Sequence, residues 1–188
     1  MRSGVFILSV FAVCVAHAGD TPPGDKAPAK TVAAPAEGQT LVGAGAQLRP
    51  TQGQSAAGSL NFVAEDHGVR VAGIIEGLTP GAQHGLHIHE KGDCSASDAS
   101  SAGPHLNPTG KSHGGPKSGA RHLGDVPNAR ADAQGVAKVD VLIEGATLRS
   151  AQPSDLAGKA VVVHEKADDY SSQPAGNSGN RIACGVIE

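Results

Sequence analysis

The chain has 188 residues and a formal net charge of −3, with 26 glycines and an aromatic content of 2%. That length holds one core-bearing domain plus appendages, and the mildly acidic balance excludes a polyanion-binding surface for nucleic acid or an anionic membrane. Abundant glycine with few large side chains favours turn-rich β structure over helices.

Residues 1–18 read as an export signal, with Arg2 at its start, an apolar run from Val5 to Val15 and a small-x-small cleavage pattern at Ala16-His17-Ala18. The run is too short to span a bilayer. A periplasmic or otherwise exported location follows, and with it an oxidising compartment. Cys14 leaves with the leader, so Cys94 and Cys184 are expected to pair. Residues 19–39 are Ala/Pro-rich with almost no large apolar side chain and read as a disordered tether. The folded domain is expected over 40–188.

Within that domain short segments of period two are separated by turn signals. Leu60, Phe62 and Ala64 face Val69, Val71, Gly73 and Ile75 across Asp66-His67-Gly68, which predicts a hairpin. A second strand pair is predicted around Asp132-Ala133-Gln134-Gly135, with Ala137, Val139, Val141 and Ile143 on one face. The alternating segment around His87 and His89, Ala160–Glu165 and Arg181–Glu188 are further strand candidates. No amphipathic helical stretch competes. The pattern predicts an all-β, antiparallel sandwich or flattened barrel carrying two long functional loops, 82–130 and 165–181.

The stretch from Gly85 to Asp125 holds five of the nine histidines. In a strand, His87 and His89 point to one face and can share a metal, and His164 at the end of AVVVHE brings a third imidazole. Three histidines suit copper, zinc or iron. His113, His122 and Asp125 supply two nitrogens and a carboxylate, one ligand short of the tetrahedral shell of structural zinc. His105 lies between the groups. Its ring has two nitrogens, and binding a cation at each makes it an imidazolate bridge, reasonable only between two divalent ions.

The segments GLHIHE, GDC, AGPHLNP, HGGP, RHLGD, VVVHEKADD and GNSGNRIACGVI, in this order, resemble the successive signatures of copper/zinc superoxide dismutases of the exported bacterial kind. The resemblance spans about 40–188 and includes the steps of eight, nine and three residues from His105 to His113, His122 and Asp125. It implies a Greek-key connectivity. It implies copper held by His87, His89, His105 and His164, zinc held by His105, His113, His122 and Asp125, and one ion of each per subunit. Cys94 and Cys184 match the family's disulfide, Asp168 a carboxylate that links His87 to His113, and Arg181 a guanidinium that attracts superoxide. Arg181 and His105 are thus the expected catalytic residues. The implied activity is disproportionation of superoxide to dioxygen and hydrogen peroxide by alternate reduction and reoxidation of copper, with zinc structural. The alternative is a noncatalytic copper/zinc binding or delivery protein on the same fold. In this resemblance His84 matches a structural histidine, not a ligand.

Two features depart from many relatives. The loop from Ser171 to Asn180 has no charged residue, so electrostatic guidance falls to Arg181 and to cations such as Lys91, Lys111, Lys117 and Arg121. Few aromatics remain for a subunit contact, which leaves homodimer and monomer both open.

Overall fold

Alternation of apolar and polar side chains from Ala57 to Glu76 produces the predicted hairpin. A computed structural model describes residues 43–188; the expected leader and tether lie outside the described residues. The strands are β1 (Gly43–Pro50), β2 (Ala57–Glu65), β3 (Gly68–Glu76), β4 (Gln83–His84), β5 (Leu86–His89), β6 (Ala129–Arg130), β7 (Ala137–Glu144), β8 (Ala160–His164) and β9 (Arg181–Val186). In the hairpin, β2 and β3 pair from Ala57↔Glu76 to Glu65↔Gly68, so Asp66 and His67 alone form the turn. Leu60, Phe62, Val69 and Ile75 are fully buried. Each such burial contributes roughly 1.5–3 kcal/mol.

Seven strands form one antiparallel sheet in the order β5-β8-β9-β1-β2-β3-β7, and β4 pairs with β6 separately. β1 changes partner along its length. Residues Gly43–Leu48 pair with β2, whereas Arg49 and Pro50 face Cys184 and Ala183 of β9. The sheet therefore has two halves joined through β1, and the main core lies between them: Leu48, Leu60, Phe62 and Val71 from one, Leu86, Ile88, Val161, Val163 and Ala183 from the other. A smaller cluster of Ala99, Ala102, Ala160, Val162 and Cys184 sits on the other face of the β8–β9 half. Among the described residues no helix is long and apolar enough to cross a membrane.

Two expectations change in detail. The strand predicted before Asp132 does not form a hairpin with β7: a single bridge, Ala131↔Ala137, remains, β7 pairs with β3, and β6 pairs with β4 instead. The Asp132 carboxylate explains the tight bend, since it accepts the Gln134 and Val136 N–H groups at 2.9 and 3.0 Å. The long loop expected over 82–130 is likewise not uniform. Its first residues form β4 and β5, and the β4–β6 pair clamps its two ends together. Cys94 and Cys184 are bonded, 90 positions apart in sequence. In the chain-entropy picture such a closure stabilises by about 4–5 kcal/mol.

Candidate metal centre

β5 alternates Leu86 and Ile88 into the core with His87 and His89 on the opposite side, and all four are buried. The loop after β5 folds back along it: Leu106 N–H donates to Ile88 O at 2.8 Å, Ile88 N–H to Gly124 O at 3.0 Å, and Gly124 N–H to Leu106 O at 2.9 Å. These bonds set His105 and Asp125 opposite His89 and His87. The approach demands glycine at 124, because a Cβ there would stand 2.1 Å from Ile88 O. Adjacent β8 delivers His164 from its last position.

Two groups of buried side chains result, His87, His89, His105 and His164 on one side and His105, His113, His122 and Asp125 on the other, each with one ligand atom per residue within 4.8 Å of the rest. The structure thus gathers every histidine and the aspartate singled out from the sequence, with His105 in both groups. His84 stays outside them: its Nδ1 donates to the His164 carbonyl at 2.9 Å.

The outward ring nitrogens are spoken for. His87 Nε2 and His113 Nε2 donate to Asp168 Oδ2 and Oδ1 at 2.8 and 2.9 Å, and His89 Nδ1 donates to Gly103 O at 2.8 Å. His164 Nδ1 faces Gly179 O at 3.4 Å. Each proton is thereby placed on the far nitrogen, and the near one is left bare. His164 Nε2 and His89 Nε2 accordingly face each other at 3.4 Å. His87 Nδ1 and His105 Nε2 are buried without a hydrogen-bond partner. Lone pairs so opposed repel unless a cation lies among them. An all-imidazole donor set of this kind suits copper.

The second group closes around Asp125 Oδ1, which lies 2.8 Å from His105 Nδ1, 3.0 Å from His113 Nδ1 and 3.2 Å from His122 Nδ1. His105 Nδ1 and His122 Nδ1 are 3.4 Å apart. Four donors about 2.0 Å from one tetrahedral ion stand about 3.3 Å from each other, so this cage is of zinc size. His113 Nδ1 makes no hydrogen bond despite its proximity to the carboxylate, as expected of a lone pair aimed at a shared ion. The other carboxylate oxygen is fixed by the Gly114 and His122 N–H groups at 3.0 and 2.8 Å. The donor sets fit copper and zinc.

Burial pushes His87 down to about 4 and His164 to about 3, and holds His89 well below its ordinary value. All three are neutral at pH 7, the form that binds a metal. Burial alone would raise the Asp125 carboxyl, but the His105 contact and the two backbone N–H groups outweigh it and hold it below the usual carboxylate range. It is therefore anionic.

Arg181 opens β9, and its guanidinium donates to Ala99 O and Gly103 O, both at 2.7 Å. It lines a cavity of about 570 Å³ together with His164 and the 172–179 loop, in which it is the one charged group. Lys111, Lys117 and Arg121 are not brought there. They line a separate groove of about 660 Å³ with Pro108, Leu142 and Asp125.

Sequence reasoning missed Asn128, Tyr170 and Gln173. Asn128 clamps Asp168 by accepting its N–H at 2.9 Å and donating to its carbonyl at 3.0 Å, while the Tyr170 hydroxyl accepts the Asn128 N–H at 2.9 Å. Gln173 bonds the main chain of His113. All three act largely through backbone groups, which carry no residue-type signal.

A family model for copper/zinc superoxide dismutase matches residues 56–187. The chain is 41% identical over 145 residues to Cu-Zn superoxide dismutase 2 of Aquifex aeolicus, covering 76% of this chain and 84% of that one. It is 37% identical over 139 residues to the extracellular Cu-Zn superoxide dismutase of Brugia pahangi, covering 69% and 68%. Among solved structures, a SOD-like protein from Bacillus subtilis superposes with a TM-score of 0.69 at 36% identity, covering 75% of this chain and 95% of that one. The two donor groups, the disulfide and a match that runs from Ala56 to Ile187 lead to one assignment: the chain belongs to the copper/zinc superoxide dismutase family.

Proposed function

We propose that residues 40–188 form an exported superoxide dismutase domain, preceded by a leader at 1–18 and a tether at 19–39. The reading is supported by the family membership and by the Arg181 guanidinium, which shares a cavity with His164 of the paired donor groups. His87, His89, His105 and His164 would hold copper, and His105, His113, His122 and Asp125 would hold zinc. When bound, copper supplies a one-electron couple and zinc, with its filled d shell, only charge and shape. Overall, one superoxide gives up its electron and leaves as dioxygen; another takes that electron and two protons and leaves as hydrogen peroxide.

The protein's own groups account for capture and proton supply. Arg181 keeps its charge at any working pH and, braced by two carbonyls, turns its remaining N–H groups toward an anion in the cavity shared with His164. His105 Nε2 is buried with no hydrogen-bond partner in the protein, so whenever it is not engaged by a metal it can hold a proton and hand it to the departing peroxide. His105 Nδ1 meanwhile stays held against Asp125. Asp168 keeps His87 and His113 in the tautomers that leave their Nδ1 atoms free.

The observation that carries the reading is the double membership of His105, whose two nitrogens face the two donor groups. The test is superoxide decay, followed by pulse radiolysis on the copper- and zinc-loaded chain with His105→Ala and Arg181→Ala alongside. Rapid decay in the wild type, with at least a tenfold loss in Arg181→Ala, is expected. Absence of activity in the loaded wild type would favour the noncatalytic metal-binding alternative.

A further inference from the structure

Gln173 occupies a position that the chemistry above does not use. Its carboxamide pairs with the main chain of a single residue sixty positions away: Oε1 accepts the His113 N–H at 2.9 Å, and Nε2 donates to the His113 carbonyl at 2.9 Å. The second N–H of the amide goes to Ser171 O at 3.3 Å, so its donors and acceptor are all engaged. His113 is therefore held by one loop at three points, N–H and carbonyl by Gln173 and ring Nε2 by Asp168 at 2.9 Å. Gln173 also lines the cavity of about 570 Å³ bordered by His164 and Arg181.

We propose that Gln173 is a positioning residue that couples the zinc-side histidine His113 to the shape of the anion cavity over His164 and Arg181. The proposal rests on the assignment of His113 to zinc. A cation on His113 Nδ1 fixes that residue's backbone, the paired amide transfers the fixed position to Gln173, and Gln173 sets one wall of the anion cavity. The amide pairing is neutral and directional, so it transmits position without adding charge beside Arg181. Gly176 closes the loop over Asp168 at a distance no side chain would permit: a Cβ there would stand 1.7 Å from Asp168 Oδ1 and 2.8 Å from His113 Nε2. The segment from Asp168 to Gly176 is thus bonded to His113 at Asp168 and at Gln173, and Gly176 packs closely against the same ring.

The test uses the full chain loaded with copper and zinc, as wild type, Gln173→Leu and Gln173→Glu. Two quantities are read: the rate of zinc release to a chromophoric chelator, and azide affinity from the copper visible absorption. Gln173→Leu loses both hydrogen bonds to His113 and is expected to release zinc about tenfold faster and also to bind azide severalfold more weakly. Gln173→Glu keeps the acceptor for the His113 N–H but sets an oxygen against the His113 carbonyl. It is expected to show both effects, with the azide loss larger because it adds an anion to the cavity wall. Zinc release that quickens while azide affinity in Gln173→Leu stays at the wild-type value would overturn the coupling, as would no change in either. A wild type that shows no azide-sensitive copper band would instead reject the metal assignment beneath it, which separates the two failures.

Discussion

Asp98 is the residue whose charge runs against capture of an anion. It lines a second cavity of about 460 Å³ that Arg181 also borders, with Thr51, Ser97 and Asn180, and its carboxylate accepts the Ser100 N–H at 2.9 Å. Burial lowers the Arg181 guanidinium, and the negative charge of Asp98 partly offsets that effect. An anion approaching Arg181 from this side meets a like charge. Asp98→Asn is expected to raise azide affinity about twofold at low ionic strength, with the gain fading by about 0.5 M salt as charges are screened. A titration unchanged by the substitution would reject it. Single residues also mark what could be read in advance. His87, His89, His105, His113, His122, Asp125 and His164 were legible because only a few side-chain types bind metals and their spacing is distinctive. Asn128 and Gln173 were not, since an amide that pairs with a distant backbone leaves no periodicity.

At the level of the element, the 147–157 connection before β8 turns on one carboxylate. Asp155 is buried and accepts backbone N–H groups from Arg149, Ser150, Ala151 and Ala157 at 2.6–2.9 Å. Burial would raise its value, but these donors together lower it. Asp155→Asn turns a donor toward donors and is expected to cost about 1–3 kcal/mol in urea unfolding at pH 7. The sign of the pH dependence follows from the lowered value. The contribution of Asp155 is complete above about pH 4, the ordinary range for an unfolded aspartate, and is lost as pH falls through the lower folded value. The variant and wild type should therefore converge in acid, and a gap that widened there would contradict this account. Elements also separate the readable from the unreadable. The β2–β3 hairpin was legible because its large apolar side chains, Leu60 and Phe62 in β2 and Val69, Val71 and Ile75 in β3, recur at even spacing and are buried; β4 and β6, two residues each, are defined only by their pairing across a long insertion.

For the molecule as a whole, buried neutral histidines make the metal-free form sensitive to acid. His87 and His164 lie near 4 and 3 when folded, against 6.5 in the unfolded chain. Below pH 6.5 the unfolded chain takes up protons that the folded one refuses, so stability declines from about pH 6.5 towards pH 4 and then 3. Urea midpoints of the metal-free chain should be lower at pH 4.5 than at pH 7. Loading with copper and zinc should raise the midpoint at pH 7, because the ions bind the folded form. A flat pH profile for the metal-free chain would count against buried neutral imidazoles. Among the described residues, Ile74 at 45% is the one exposed large hydrophobic side chain. Sedimentation at micromolar concentration distinguishes a monomer from a homodimer built on this largely polar surface.

β9 follows every other described strand in the chain, yet it lies in the interior of the sheet, between β8 and the end of β1. It also carries Arg181 and Cys184. A ribosome-bound chain that has not yet released residues 181–186 can join neither half to the other, close the disulfide nor brace the guanidinium. Completion of this architecture thus waits on β9, the last of the described strands, taking its place between β8 and β1.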